Sequence, residues 1–241
     1  MKPTKLVYME HMHQLESDAI VESIEQKDDK TVVVLDQTVF YPQGGGQPFD
    51  TGVVTSDDTK FIVEEVRFVD GQVLHIGHFD GRPFIQGEDV KCKVDKDRRE
   101  LNARLHSGGH ILDMAVDRLG LDWIPGKGYH FPDGPYVEYE ANIENLDTED
   151  MKQKLEQEIA KIQSENPKVE VKFVTKDELT KLCSFVPDYL PKDKPARVVM
   201  YGDFGVPCGG IHVASLQDIG TMKIRKIKLK NKLLRVSYEL E

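Results

Sequence analysis

Short runs of apolar and β-branched residues, separated by polar turn residues, dominate the first 92 residues of the chain. The run 31–35 is one of them, and a longer series over 61–76 surrounds the pair Asp70-Gly71, which is typical of a tight hairpin turn. Short strands at this spacing are typical of a small antiparallel barrel. The pattern therefore predicts a small N-terminal β-barrel domain over residues 1–92.

A helical period begins at about Asp95 and continues to Leu119. Leu101, Leu105 and Leu112 recur with Leu119 at heptad-like spacing. Apolar residues at this spacing usually form the core-facing stripe of a helix. The pattern therefore predicts one long helix whose leucine stripe is buried.

The rest of the chain alternates between helical and strand-like periods, which is typical of an α+β domain. Helices are predicted to begin at Asp147 and at Thr175, where Glu178 completes a capping box. Strands are predicted at 136–140, 169–173 and 196–201, and a hairpin at 222–240. The segment 123–131 contains two glycines and a proline and is predicted to be a loop. Residues 93–241 are therefore interpreted as an α+β domain.

Composition limits the class of protein. The 241 residues include 39% hydrophobic residues, enough to bury the core of one large domain or two ordinary ones. The chain has no apolar run near about 18 residues and no signal-peptide pattern, so a soluble, cytoplasmic protein without a membrane partner is expected. Its three scattered cysteines do not predict a disulfide framework. Because the formal net charge is −10, contact with nucleic acid is expected only on a local basic surface.

Two short motifs carry residues that bind metals. His106 and His110 stand four positions apart and so share one face of the predicted helix, away from its leucine stripe. Cys208 and His212 are separated by a segment with two glycines, which lets the backbone bend until both side chains converge. Three imidazoles and one thiol make a donor set that suits Zn²⁺. The sequence therefore predicts a zinc site at His106, His110, Cys208 and His212, provided that the two motifs meet.

A glycine-rich segment lies within the predicted barrel. Three consecutive glycines are entropically costly unless the backbone needs unusual dihedral angles or must approach a ligand closely. The segment lacks the Gly-Lys-Ser/Thr ending of a phosphate-binding P-loop. A simple turn and a substrate-contacting loop both fit the pattern. The candidate substrate-binding residues are Gln43, Gly44, Gly45, Gly46, Gln47, Asp50 and Thr51.

The most concentrated basic stretch lies in the C-terminal hairpin. Lys226, Lys228 and Lys230 alternate along one predicted strand and therefore share a face. A solvated edge strand protected by lysines is one interpretation. The other is a local surface that binds tRNA.

Together, these motifs resemble the editing domain of alanyl-tRNA synthetase. The resemblance rests on His106-Ser107-Gly108-Gly109-His110, on Cys208 to His212, on the glycine-rich segment, and on Asp218-Ile219-Gly220 before a basic strand. It covers essentially the whole chain, which leaves no room for an aminoacylation core. The chain is therefore similar to the free-standing alanyl-tRNA editing proteins of the AlaX family, medium type. Ile211 departs from the threonine usual in the synthetases, but it is not a ligand.

The resemblance implies a fold, a reaction and a cofactor. The fold would be a small β-barrel joined to an α+β domain like the editing domains of threonyl- and alanyl-tRNA synthetases. The reaction would be zinc-dependent deacylation of alanine tRNA that carries serine, with glycine as a second substrate. The four residues of the two metal motifs would act through Zn²⁺.

Several alternatives stay open at this point. A closed tetrahedron of protein ligands is typical of a structural zinc site, so a non-catalytic, zinc-stabilised RNA-binding module is the main alternative. A zinc peptidase is less favoured, because Ser107 stands where such enzymes have the glutamate of their His-Glu-x-x-His motif. The zinc could activate water or position the substrate. The oligomeric state is also open.

Overall fold

A computed structural model describes residues 2–27, 29–57, 59–141, 143, 146–187, 190, 194–230 and 233–241. The chain forms two compact units, Met1–Leu101 and Asn102–Glu241. The domain boundary after residue 92 stays a prediction. Within the described residues, no helix is both long and apolar enough to cross a membrane.

The first unit contains a closed six-stranded barrel in the order β2-β3-β7-β6-β5-β8. The strands of this unit are β1 (Lys5–Leu6), β2 (Glu16–Lys27), β3 (Lys30–Leu35), β4 (Gln37–Thr38), β5 (Gly52–Ser56), β6 (Thr59–Val69), β7 (Gln72–Asp80) and β8 (Asp89–Val94). Alternate positions point inwards; in β6, Phe61 and Val63 are almost completely buried, and a bulge after Val63 shifts the pattern so that Val66 is the next buried residue. The predicted small barrel is confirmed.

The hairpin predicted at Asp70-Gly71 joins β6 to β7. Asp70 has φ of 48° and Gly71 has φ of 83°. Positive φ at both central residues is the type I′ geometry that matches the twist of the flanking strands, and glycine adopts it without steric cost. The local turn chemistry therefore determines this strand register.

The second unit contains helices α1 to α3, a four-stranded sheet and a three-stranded sheet, and it confirms the predicted α+β class. Its elements, starting with a helix that begins in the first unit, are α1 (Lys96–Arg118), β9 (Ile124–Tyr129), β10 (Tyr136–Glu140), α2 (Thr148–Glu165), β11 (Val169–Val174), α3 (Lys176–Leu182), β12 (Ala196–Tyr201), β13 (Phe204–Pro207), β14 (Met222–Lys230) and β15 (Leu233–Leu240). The sheet orders are β14-β15-β10-β9 and β11-β12-β13.

Helix boundaries follow the sequence signals closely. Asp147 caps α2, accepting hydrogen bonds from the backbone N–H groups of Glu149 and Asp150. Thr175 and Glu178 form the predicted capping box of α3. Both caps satisfy N–H groups that a helix leaves unpaired at its start, so their positions were predictable from local sequence.

Two expectations were wrong. The segment 123–131 is mostly strand β9 rather than a loop. It forms the edge of its sheet beside a bulge in the pairing with β10, which is where a strand tolerates proline and glycine. In addition, Leu101 is 38% exposed, so it does not belong to a buried stripe. Helix α1 is instead buried on several sides, because Gly108 lets Tyr238 pack against it: a Cβ atom there would lie 3.2 Å from the Tyr238 ring.

Candidate metal centre

The side chains of His106, His110, Cys208 and His212 meet in the second unit. Each offers one nitrogen or sulfur atom, and these four atoms all lie within 4.8 Å of one another. Cys208 Sγ lies 3.5 Å from His106 Nε2, although the two residues are 102 positions apart in the chain. Tetrahedral binding with nitrogen at about 2.0–2.1 Å and sulfur at about 2.3 Å from an ion places ligand atoms about 3.3–3.6 Å apart, which is the separation that Cys208 Sγ and His106 Nε2 already have. The cluster could therefore hold a metal ion.

Helix α1 and the turn after β13 position the donor atoms. His106 and His110 lie one helical turn apart, with ring centroids separated by 5.0 Å. In the turn, the backbone N–H of Gly210 donates to Cys208 Sγ at 3.3 Å, and Arg197 Nη1 donates to the Cys208 carbonyl oxygen at 2.5 Å. These contacts hold the thiol beside the helix.

A hydrogen-bond chain orients the ring of His110. Its Nδ1 lies 3.2 Å from Asp113 Oδ2, and Tyr139 donates to Asp113 Oδ1 at 2.8 Å. The Nε2 atom is buried and has no hydrogen-bond partner in the described part of the chain. A buried polar atom without a partner is costly, and a carboxylate on the far nitrogen is the usual support of a metal-binding histidine. His110 is therefore suited to bind a metal through Nε2.

His212 is oriented by two hydroxyl groups. Its Nδ1 lies 2.9 Å from Tyr201 Oη and 3.4 Å from Ser107 Oγ. The hydroxyl oxygen of Ser107 also accepts a hydrogen bond from the Val213 backbone at 3.1 Å. Ser107 therefore supports a neighbouring imidazole at the position where a zinc peptidase would have a carboxylate base.

Burial and mutual charge control the protonation of the cluster. Burial, followed by the charges of the neighbouring imidazoles, lowers the pKa of His106 well below its usual value. Burial also lowers the pKa of His110, but Asp113 and Cys208 outweigh it and raise the pKa to about 9. For Cys208, burial raises the pKa, but His110 outweighs it and the net shift is downwards. The attraction between the Cys208 sulfur and the His110 imidazole thus opposes the cost of burial in both groups, and a bound cation would replace the imidazole proton.

His130 is a fourth imidazole beside this cluster, and it was not among the residues predicted from the sequence. Its ring stacks on His106 with centroids 4.6 Å apart and an interplanar angle of 22°. His130 Nδ1 lies 2.8 Å from Tyr238 Oη, whose proton is donated to the Leu105 carbonyl oxygen at 2.6 Å. His130 Nδ1 must therefore donate to Tyr238. Burial, followed by the charge of His110, lowers the pKa of His130 to about 3, so the ring is neutral and Nε2 is its acceptor.

Two glycines make room for His130. A Cβ atom at Gly109 would lie 2.3 Å from His130 Cε1, and one at Gly128 would lie 2.4 Å from His130 Nε2. Real side chains do not tolerate such contacts, so both positions require glycine while the imidazole is present. The second glycine of the His-Ser-Gly-Gly-His motif is the signal that could have indicated a packed neighbour.

The glycine-rich segment forms a tight turn within the first unit. Gly44 and Gln47 exchange backbone hydrogen bonds of 3.2 and 2.9 Å. Gly45 and Gly46 between them have φ of 54° and 77°. The turn geometry alone accounts for these two glycines, since a Cβ atom at Gly45 would meet only the Tyr41 hydroxyl, at 3.8 Å.

The polar residues of this segment differ in their exposure to solvent. Gln43 is exposed and Thr51 is half-buried, whereas Gln47 and Asp50 are fully buried. The Asp50 carboxylate accepts hydrogen bonds from Arg99 Nε at 3.0 Å and Nη2 at 2.5 Å, and from the Tyr41 backbone N–H at 2.6 Å. Asp50 is thus tied into the barrel core. Substrate contact by these residues stays a prediction.

The lysine strip lies on the edge strand β14. Lys226 and Lys228 are exposed, and Ile227 between them is buried, as their alternation predicts. Leu229 departs from this pattern because it is 56% exposed. The side chain of Lys230 lies outside the described part of the structure, and tRNA binding by the strip stays a prediction.

Comparison with family models gives two matches. The model of class II (A) tRNA synthetases matches residues 4–98. The model of the second additional domain of threonyl- and alanyl-tRNA synthetases matches residues 196–235, which include Cys208 and His212. The two matches fall in the two units of the structure, one in each.

Comparison with individual proteins gives a consistent result. The chain is 34% identical to the alanyl-tRNA editing protein AlaX-L of Pyrococcus horikoshii, over 96% of its own length and 57% of that protein. It is 30% identical to the alanine–tRNA ligase of Methanobrevibacter smithii, over 92% of its own length but only 25% of the ligase. It is also 30% identical to the alanyl-tRNA editing protein AlaX-M of Methanosarcina barkeri, over 98% of both chains.

Proposed function

Because the chain belongs to the family of alanyl-tRNA editing proteins, we propose that it hydrolyses alanine tRNA mischarged with serine, and secondarily with glycine. The observation that carries this proposal is the cluster of three imidazoles and one thiol within 4.8 Å. Burying such a donor set costs free energy unless its atoms bind a ligand, because isolated buried polar groups are unfavourable. The ester bond of an aminoacyl-tRNA is a bond that a metal ion can help to hydrolyse.

The metal of this centre is zinc, held by His106, His110, Cys208 and His212. Mixed nitrogen and thiolate donors at tetrahedral separations favour Zn²⁺ over Mg²⁺ or Ca²⁺, which prefer oxygen. Bound zinc supplies Lewis acidity, which polarises an ester carbonyl or acidifies water. The protein's own contribution is to hold the donors: Asp113 orients His110, and Ser107 and Tyr201 orient His212.

Selectivity for serine follows from hydrogen bonding. An alanine-charging enzyme rejects glycine and serine poorly, because a pocket excludes neither a smaller side chain nor an added hydroxyl strongly. A second site that binds the serine hydroxyl reverses the preference, since alanine would leave its polar groups unpaired. Neutral His130 contributes an acceptor nitrogen beside His106 for such a group.

A deacylation assay tests this function. Purified protein should release serine from Ser-tRNA(Ala) at least about 100-fold faster than alanine from Ala-tRNA(Ala), because only serine satisfies the polar site. A variant with both His106→Ala and His110→Ala is the control for release that does not need the centre. Stoichiometric zinc with no release of serine or glycine would instead support the non-catalytic, zinc-stabilised RNA-binding module.

The glycine-rich turn contributes substrate contacts in this proposal. Gln43, Thr51 and the backbone of Gly44 to Gly46 contact the aminoacyl end, while buried Gln47 and Asp50 hold the turn in shape. Exposed backbone at positive φ can approach a ligand more closely than a residue with a side chain can.

Gly45→Asn should therefore slow deacylation of Ser-tRNA by about tenfold or more without changing thermal unfolding. Asparagine tolerates the left-handed conformation, so the turn is retained while its tip gains a side chain. The matched control is Gly87→Asn in the same unit, where φ is 86° and a Cβ atom would meet nothing within 4 Å. Wild-type activity of the Gly45→Asn variant would show that the segment is only a turn.

Lys226, Lys228 and Lys230 supply a local positive surface for tRNA. An acidic protein that binds tRNA needs such a surface, since phosphate contacts dominate the affinity for nucleic acid.

A further inference from the structure

The two faces of the four-stranded sheet differ sharply in chemistry. Leu234, Val236 and Tyr238 of β15 are buried on the inner face, where Gly108 of α1 lies against Tyr238. Helix α2 packs on the same sheet, with Glu156 accepting a hydrogen bond from the β14 backbone. The outer face carries the alternate residues of the same strands, and these are aromatic and charged.

Three aromatic rings on the outer face are stacked into a column. The Tyr129 ring lies parallel to those of Phe131 and Tyr136, with centroid separations of 4.5 and 5.2 Å and interplanar angles of 15°. The guanidinium carbon of Arg235 lies 3.8 Å from the Tyr136 centroid. All three rings are only half-buried. Tyr129 and Tyr136 are covered on both faces by their neighbours in the column, so the ring face left for a further planar group is that of Phe131, at the end of the column.

Acidic residues fix two members of the column, the central Tyr129 ring and the Arg235 guanidinium at one end. Tyr129 donates to the Asp133 carboxylate at 3.1 Å, and Arg235 donates to Glu138 Oε1 through Nε at 3.1 Å and Nη2 at 2.6 Å. The rings and the guanidinium are thus held in place before any ligand arrives. Preorganisation of this kind reduces the entropy cost of binding.

Two lysines lie next to the column in the strand register. Lys228 is directly opposite Arg235, and Lys226 is opposite Ser237, which in turn pairs with Tyr136. Both lysine residues are exposed, and neither makes a salt bridge among the described residues. Stacking rings beside free cations are the combination that single-stranded nucleic acid requires, because bases stack on the rings and the cations neutralise phosphates.

We propose that this outer face binds the unpaired 3′ end of the tRNA substrate, with a base stacked on the column and Lys226 and Lys228 beside the phosphates. The inference rests on the proposed function for the identity of the nucleic acid. A single strand is favoured over a duplex, since only unstacked bases can lie on aromatic rings.

The topology connects this face to the metal centre. Strand β9 is at the edge of the sheet, and consecutive residues of a strand point to opposite faces. Tyr129, the last residue of β9, belongs to the outer column, whereas His130 stacks on His106 on the inner side. A strand of RNA that stacks on Phe131, the residue after His130, is therefore separated from the metal centre only by the edge of this sheet.

The test is binding of uncharged alanine tRNA and of a labelled single-stranded RNA with its 3′ sequence. Phe131→Leu should weaken both about tenfold, the loss expected when one base-stacking contact is removed, while Phe131→Tyr should bind like the wild type. The double replacement of Lys226 and Lys228 by alanine should reduce the slope of the logarithm of the binding constant against the logarithm of salt concentration by about 0.7 per lost phosphate contact. The controls, from β11 and the residue before it, are Phe173→Leu, since Phe173 is 50% exposed, and a double replacement of Lys168 and Lys172 by alanine.

Removal of the unpaired 3′ nucleotides from the tRNA should abolish the difference between wild type and Phe131→Leu. Affinities of the Phe131→Leu and lysine variants equal to the wild type, or a Phe131→Leu effect that persists on the truncated tRNA, would overturn the proposal. These measurements do not depend on hydrolysis. If the wild-type protein deacylates nothing but the variants still bind RNA more weakly, only the proposed function is rejected. If the wild-type protein is active but the variants bind RNA as it does, only the proposed surface is rejected.

Discussion

Replacement of Cys208 by alanine is expected to remove stoichiometric zinc and to lower the rate of Ser-tRNA deacylation by more than about 100-fold. Cys208 supplies the only thiol of the cluster, and its pKa is lowered by His110 despite burial. Its loss leaves three imidazoles without the negative donor that offsets the charge of a divalent ion. Loss of supporting residues around a metal already costs about 10–100-fold, so loss of a ligand should cost more. Metal analysis and initial deacylation rates of the same preparation test this result.

Cys183→Ala is the matched control for this experiment. Cys183 is also buried, but burial raises the pKa of its thiol to about 11, so it remains protonated, and it belongs to no group of three or more potential metal ligands among the described residues. The control should retain both zinc and activity. A Cys208→Ala protein that keeps one zinc per chain would contradict the ligand assignment, and one that loses zinc but remains active would contradict a catalytic role of the metal.

The members of the candidate metal cluster could be predicted because each pair of residues is recognisable in the local sequence. A spacing of four residues brings His106 and His110 to one face of a helix, and the glycines between Cys208 and His212 allow a sharp turn. The local sequence does not show that the pair His106 and His110 comes together with the pair Cys208 and His212 in the folded chain. That depends on the arrangement of β12, β13 and α1, and here the resemblance to a known family supplied the missing information.

His130 was not predictable by the same reasoning. Its neighbours are glycines, a proline and aromatic residues, which resemble a loop, and its partners are distant in sequence. The ring stacks on His106, bonds to Tyr238 and occupies space left by Gly109. Only the tertiary structure brings these residues together, and tertiary contacts routinely override local propensity.

The glycine-rich segment shows that one pattern can have two physical causes. The entropy cost of three glycines suggests close approach of a ligand, but positive φ at Gly45 and Gly46 is a sufficient reason for glycine there. Sequence alone does not separate these causes. The same holds for Asp50, whose carboxylate looks suited to a substrate but is enclosed in the barrel core.

Asp50→Ala should lower the free energy of unfolding by about 3–5 kcal/mol, the usual cost of leaving one member of a buried ion pair alone. Asp50 is 0% exposed and Arg99 is 3% exposed. Arg99 also donates to the carbonyl oxygens of Val39 at 2.6 Å and Met12 at 3.1 Å, so the pair joins three segments of the first unit. Urea unfolding measures the loss.

A double-mutant cycle separates the interaction energy of the Asp50–Arg99 ion pair from the contributions of the surrounding residues. Combining Asp50→Ala with Arg99→Leu should cost about 1–3 kcal/mol less than the sum of the single losses, because the double variant leaves neither charge buried without its partner. Glu16→Ala is the control, since the Glu16–Lys93 pair spans 2.9 Å but both side chains are at least 65% exposed, and its loss should cost less than about 1 kcal/mol. Additive losses would show that Asp50 and Arg99 stabilise the barrel independently. An Asp50→Ala protein of normal stability but impaired deacylation would instead support the direct substrate contact that the sequence predicted.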